Sequence, residues 1–174
     1  MTKVLHTILL FSALTIGINA SAQKANKLGW INSNDLLLLM PERDSAEAQL
    51  KAFAQQLELQ LTSMTGEYEK KYTEYQQNMA VMNDVVKASK EEEIMDLQTR
   101  IQEFQQKAQQ SLQKKEGALM EPLIKKAKDA ISAVAKENGY NYVFDVSVGT
   151  LLHYPEGDDL LPLVKTKMGI TASK

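Results

Sequence analysis

Apolar and aromatic residues fall at Leu50, Phe53, Leu57, Leu61, Met64, Tyr68, Tyr72, Tyr75, Met79 and Met82, always three or four positions apart. Residues at that spacing return to one side of an α-helix, so the pattern predicts a long helix with a single apolar stripe. Its 3, 4, 4 rhythm closes on an eleven-residue period and drifts against a strict heptad, which predicts a nearly straight or slightly right-handed arm and not a leucine zipper. A second series, Ile94, Leu97, Ile101, Phe104 and Ala108, is spaced in the same way, but from Gln105 to Gly117 only Ala108 and Leu112 are apolar. The two series predict antiparallel helices over residues 44–138, about 60 and 75 Å long at the usual rise per residue, turning near Val85 to Ala88. With the turn there, the apolar-poor stretch faces Gln55 to Glu67, and Leu57, Leu61 and Met64 are expected to be incompletely covered.

Both arms carry start signals. Asp44 with Glu47 has the spacing of a capping box just after Pro41, and Ser89 with Glu92 repeats it at the tip. Pro122 falls inside the returning helix, where it removes one backbone hydrogen bond; it is a candidate hinge, with a fixed curve as the other reading.

The sequence flanking the hairpin predicts a small mixed body. Leu28-Gly29-Trp30-Ile31 suits a strand, and Ser33 and Asn34 can cap a short helix over Asp35 to Met40 that Pro41 closes. Asn138-Gly139 ends the returning helix. Residues 140–146 are rich in aromatic and β-branched side chains and read as a strand, with a turn at Gly149 leading to a second strand, Leu151-Leu152-His153-Tyr154. Asp159 then caps a last helix with Pro162 in its first turn and Gly169 at its end. The predicted class is mainly α with a small β body: residues 23–43 and 139–174 form the body, and residues 44–138 the projecting arm. So small a body has too little interior to be comfortably stable alone, and its short strands have open edges. Oligomerisation is the expected remedy, with Trp30, Ile31, Val143, Phe144, Val146, Leu151 and Leu152 as the candidates for the strand core and for the contact between copies.

Residues 1–22 read as a secretory signal. Lys3 gives the positive start, the run from Ile8 to Ile18 is mostly apolar, and Ala20-Ser21-Ala22 offers small residues for cleavage after Ala22. The run is shorter than the ~20 residues a membrane-spanning helix needs. The sequence has no cysteine, 20 basic residues and 22 acidic ones, so an exported chain without disulfides and with a slight negative excess is expected. No nucleic-acid partner is expected from that balance, and membrane association is expected to be weak or absent.

With these residues in place the chain resembles the Skp (OmpH-like) family of periplasmic chaperones over essentially the whole exported sequence. The resemblance rests on Gly29-Trp30-Ile31-Asn32-Ser33 entering a leucine-rich helix, the long hairpin, Asn138-Gly139-Tyr140-Asn141-Tyr142-Val143-Phe144-Asp145 leaving it, and Asp158-Asp159-Leu160-Leu161 opening the final helix. It implies a homotrimer whose strands assemble into a central body, with three arms around a cavity that holds unfolded outer-membrane proteins. Family members are often strongly basic, including near the arm tips; here Glu91-Glu92-Glu93 follow the turn and the balance is acidic.

On that reading the arm lining Leu57, Leu61, Met64, Tyr68, Tyr72, Tyr75, Met79 and Met82 is the candidate client-binding surface. Tyrosine offers a broad face with a polar tip and methionine adapts its shape, although packing between the two helices accounts for the same stripe. There is no phosphate-binding loop, so the expected role is an ATP-independent holdase. His6 leaves with the signal and His153 stands alone, so no metal cluster or Ser-His-Asp set can be assembled, and neither an enzyme nor a cofactor is expected. A second function stays open: a spacer or adaptor of the cell envelope that binds one folded partner through its hairpin.

Overall fold

The structure is a computed structural model and describes residues 26–149 and 151–170; the expected signal over residues 1–22 lies outside them. The described chain runs β1 (Leu28–Ile31), α1 (Ser33–Leu39), α2 (Glu42–Asn78), α3 (Asp84–Glu137), β2 (Tyr142–Asp145), a single 3-10 turn (Glu156–Asp158) and α4 (Leu161–Met168). It is mainly helical with a small two-stranded sheet.

β1 and β2 are parallel, with Leu28 opposite Tyr142 and Ile31 opposite Asp145. Parallel neighbours need a long crossover, and here the crossover carries the whole hairpin. α2 has 37 residues and α3 has 54, which makes them about 55 and 80 Å long. The base is therefore a strand-helix-strand unit with its connection drawn out into an arm.

The helix ends follow local chemistry, partly through other residues than the spacing suggests. Asn32 caps α1, its side-chain oxygen accepting from the amides of Asn34 and Asp35 at 3.1 and 3.3 Å; Ser33 and Asn34 already lie inside the helix. Met40 precedes Pro41 and is extended, as the proline ring requires. α2 begins at Glu42 with Pro41 before it and no side-chain cap, so Asp44 lies in the first turn, where its charge faces the positive end of the helix dipole. At the tip Asn83 is the cap, accepting from Val86 N at 3.0 Å. Ser89 sits within α3, and the turn falls about five residues earlier than Val85 to Ala88. Gly139 closes α3 with φ of 71°, and Tyr140 N returns to Ala135 O at 2.9 Å. α3 passes through Pro122 without interruption.

The core sits at the root of the arm. Ile31, Leu36, Met40, Leu123, Ala127, Val134, Leu160 and Val164 form one buried cluster, joining β1, α1, the last turns of α3 and α4. Gly29 admits Leu160 and Tyr140 so closely that a Cβ there would lie 2.4 Å from Leu160 Cδ1. A polar clasp pins the far end of β2: the Ser33 hydroxyl donates to Asp145 Oδ2 at 2.5 Å, and the amides of Ser33 and Ser147 donate to Oδ1 at 3.2 and 3.0 Å.

The second strand expected at residues 151–154 does not form. That segment is irregular, and the free side of β1 is occupied further along, where Trp30 bridges Asp159 and its carbonyl accepts from Leu160 N at 2.9 Å. Pro155, which has no amide to donate, accepts instead from Trp30 Nε1 at 2.6 Å. Asp159, expected to cap the last helix, lies one residue too early: the cap position of α4 is Leu160, which offers no side-chain cap, and Asp159 accepts from Leu161 N at 2.8 Å in a local turn two residues long.

Candidate functional site

The arm is held by few buried side chains. Ala46 and Met64 on α2 and Ile94 and Leu97 on the distal part of α3 are buried. Three pairs that cross between the helices set the register: Tyr75 donates to Glu91, Lys71 pairs with Glu93, and Lys126 pairs with Glu42. Glu93 also takes Lys90 at 3.1 Å. These bonds shift protonation as they must: Lys71 holds the Glu93 carboxyl below its ordinary range, aided by Lys90, while Glu93 in turn raises Lys71. Glu91 raises the Tyr75 hydroxyl by accepting its proton in a hydrogen bond.

This register moves the thin part of the stripe. Residues 105–117 face roughly residues 49–61 and not 55–67, because the turn comes early. Just below that section, at the root of the arm, a gap of about 140 Å³ is lined by Ala46, Leu50, Leu119 and Met120 with Arg43, Glu47 and Glu116. Met64, expected to be uncovered, is only 9% exposed, opposite the well-populated Leu97 to Ile101 stretch. Leu57, Leu61, Tyr68, Tyr75 and Met82 are half-buried along the helix-helix seam, whereas Tyr72 and Met79 are exposed. Tyr68 and Tyr72 stack, with centroids 5.9 Å apart and planes 7° from parallel. The stripe is thus mostly seam, with tyrosine and methionine edges open to solvent.

Other apolar residues are more accessible than the stripe. Leu59 and Met95 stand out from the arm, and Met79, Val81, Val85 and Val86 crown its tip. Leu59 falls outside the three-four spacing that marks the seam. Val85 and Val86, expected in the turn, instead occupy the first turn of α3, where they project past the end of α2.

The seven base residues divide. Ile31 is buried in the chain's own core, and Trp30 is half-buried, its ring 4.3 Å from that of Tyr154. Phe144 and Leu152 are exposed, Leu152 at 99%, and Leu28, Tyr142 and Tyr154 extend the same apolar surface. Leu28, Trp30, Phe144, Leu151 and Tyr154 line a hollow of about 230 Å³ there. Val143 lies on the opposite face of the sheet with Val148, in a groove of about 410 Å³ bounded by Leu37, Ile124 and Ile131; Val146 is half-buried beside it. Two uncovered apolar faces on so small a base are more than isolated surface residues would give.

Among the described residues there is no group of histidine and carboxylate side chains that could hold a metal ion, and no helix is long and apolar enough to cross a membrane.

A long, lightly packed helical hairpin on a small mixed base with uncovered apolar faces defines an arm-and-base class of protein. The profile of the OmpH-like outer membrane protein family matches residues 27–168, and the chain belongs to that family. Curated relatives include proteins named Chaperone protein Skp: that of Pectobacterium atrosepticum is 23% identical over 134 residues, covering 77% of this chain and 81% of its own, and that of Photorhabdus luminescens is 25% identical over 137 residues with the same coverage. A solved OmpH-like structure from Caulobacter crescentus superimposes with a TM-score of 0.70 at 12% identity, over 86% of this chain and 88% of that one, and supports the fold.

Proposed function

We propose that this chain is a chaperone of outer-membrane proteins, working in the periplasm without ATP as a holdase. Its membership of the OmpH-like family and its similarity to proteins named Skp support the class. The observation that carries the reading is the arm itself: some 55 to 80 Å of helix whose tyrosine and methionine edges stay open while few side chains are buried. Such a surface offers an unfolded chain many weak apolar contacts, strong enough together to compete with aggregation and weak enough singly to release.

In this reading residues 1–22 direct export and are removed after Ala22. The base, residues 23–43 and 139–174, associates into a homotrimer through Trp30, Phe144, Leu151 and Leu152, with Val143 and Val146 on the other face. The arms enclose the client, which touches Leu57, Leu61, Tyr68, Tyr72, Tyr75, Met79 and Met82. Met64 supports the seam from inside.

The test is size exclusion with light scattering, with and without a denatured barrel protein, alongside turbidity of that protein on dilution. The expected result is a trimer that captures about one client and suppresses aggregation in the absence of nucleotide. A well-folded oligomer that leaves aggregation unchanged overturns the proposal, and retention of one folded envelope protein in place of unfolded ones would turn the reading to an adaptor.

A further inference from the structure

The arm ends in a feature that the seam does not use. Val81 is 85% exposed and Val85 80%, with Met79 and Val86 beside them, so four apolar side chains project where the two helices have no further partner. Adjacent exposed apolar side chains at a helix end make a candidate contact surface.

The charges around it have one dominant sign. Between Glu58 and Lys107 there are ten acidic and six basic residues. Five of the six bases are matched: Lys70 with Glu74, Lys71 and Lys90 with Glu93, Arg100 with Asp96, and Lys107 with Glu103; the sixth, Lys87, directly follows Val86, takes part in no ion pair among the described residues, and leaves the acidic excess of the distal arm at four charges. Asp84 and Glu92, the carboxylates that flank the valines, take part in no ion pair among the described residues, and neither do Glu58 and Glu69 further down. The distal arm therefore presents an apolar crown in a negative field, and an anionic surface would be repelled by it. A shallow groove of about 150 Å³ next to the crown is lined by Met82, Tyr75, Asn78 and Glu74 together with Lys71 and Lys90, and both lysines are already paired with Glu93.

We propose that the arm tip docks cationic amphipathic stretches of unfolded polypeptide, apolar side chains resting on Met79, Val81, Val85 and Val86 and lysine or arginine facing Asp84 and Glu92. This names a client chemistry for the holdase reading and rests on it. Complementary charge steers encounter and selects among segments, while the apolar contact holds them. Segments rich in acidic residues are correspondingly disfavoured at the tip.

The experiment uses the full exported chain and fluorescence anisotropy with two labelled peptides, one alternating leucine and valine with lysine and arginine, the other identical but with glutamate in place of each base. Wild type is expected to bind the cationic peptide at least about tenfold more tightly, and Val81→Ser/Val85→Ser to lose about tenfold of that affinity, the loss expected for two partly buried valines. Both valines are almost wholly exposed, so the fold does not depend on them; circular dichroism confirms this. Asp84→Asn/Glu92→Gln is expected to flatten the salt dependence while leaving most high-salt binding intact. Equal binding of the two peptides, an unchanged affinity in the valine variant, or tip-dependent flotation with anionic vesicles overturns the proposal. If wild type binds the cationic peptide yet lets a barrel protein aggregate, the holdase reading fails and the tip assignment stands. If it protects the barrel protein while the valine variant binds the peptide as tightly as wild type, the tip assignment fails alone.

Discussion

Gly29→Ala separates the stability of the base from that of the arm. Gly29 is buried on β1 and needs no unusual backbone angle, so the demand on it is steric: an added methyl lies 2.4 Å from Leu160 Cδ1 and 2.9 Å from two carbons of the Tyr140 ring. Relief to ordinary contact requires the fully buried Leu160 to move by about 1 Å against a core packed at crystal-like density. Its backbone is not free to follow, since Leu160 N is bonded to Trp30 O. Tyr140 is held too, by the Lys27 ammonium 4.0 Å above its ring. Overpacking of this kind costs about 1–3 kcal/mol, offset by roughly 0.4–1 kcal/mol from the stiffer unfolded chain. The net loss of roughly 1–2 kcal/mol should lower a urea midpoint by about 0.5–1 M. The single tryptophan, Trp30, sits on the next residue of the same strand, so its fluorescence reports the base, while far-ultraviolet circular dichroism is dominated by the arm. The expected result is an early tryptophan transition with a nearly unchanged helical one. Coincident transitions with the wild-type midpoint would refute the steric argument.

Gly66→Ala should act in the opposite sense, because Gly66 lies mid-helix with nothing within 4 Å of an added Cβ; a gain of about 0.5–1 kcal/mol is expected, seen in the dichroism transition and absent from fluorescence. Asn83→Ala removes the cap on Val86 N and should cost about 1 kcal/mol locally, read as faster amide exchange at Val86, whereas Ser89→Ala should leave exchange there unchanged. Ser33→Ala tests the clasp. Burial opposes ionisation of Asp145, but the Ser33 hydroxyl and the Ser147 and Ser33 amides outweigh it and hold the carboxyl below its ordinary value of 3.8. A depressed carboxyl stabilises the fold above that ordinary value and loses the contribution as pH falls through its folded value. The variant should therefore be about 1–2 kcal/mol less stable at pH 7, with the gap narrowing below about pH 4; equal gaps at pH 7 and pH 3 in urea titrations would rule the clasp out as the cause.

The long helices were legible because one chemical requirement, an apolar residue on the same side at every turn, is written into the spacing from Leu50 to Tyr75; Met79 and Met82 continue the spacing but fall past the end of α2, in the turn. The position of the turn was not. Ser89 followed by Glu92 has the full capping-box spacing, whereas Asn83 has Val86 three residues on and makes a one-sided cap; the chain nevertheless uses the asparagine, which lets α3 start earlier and gain a further turn. Displacing the turn shifts every opposition along the seam, which is why Met64 is buried and the gap lies near Leu50. The strand expected at residues 151–154 has the right residue types, but a strand exists only where a neighbour accepts its hydrogen bonds, and within one chain Asp159 and Leu160 occupy that side of β1. Ile31 was legible as a residue of the strand core or of a contact between copies, but not which of the two, since strand alternation does not say which face the chain covers itself; it lies in the chain's own interior. The tip valines carried no periodic signal that distinguishes crown from seam.

The placement of the core bears on how such an arm can work. Its buried side chains gather where α1, α4, β1 and the last turns of α3 meet, and the distal hairpin has only Met64, Ile94 and Leu97 buried along its length, joined across the seam by the partly exposed Lys71–Glu93 pair. Exposed pairs contribute little, so the distal arm opens at a smaller free-energy cost than the root. Separating the two helices there would release Leu61, Met64, Tyr68, Ile94 and Leu97 to an incoming chain without disturbing the base. On the holdase proposal the seam and the client surface need not then be alternatives: the same side chains that close the arm when empty would meet a client when it is loaded, each contact replacing apolar surface that the partner helix covered. A tightly packed arm would not open in this way, and the stretch from Gln105 to Gly117, with only Ala108 and Leu112 apolar, leaves the seam thin against residues 49–61, between the root and the buried distal contacts.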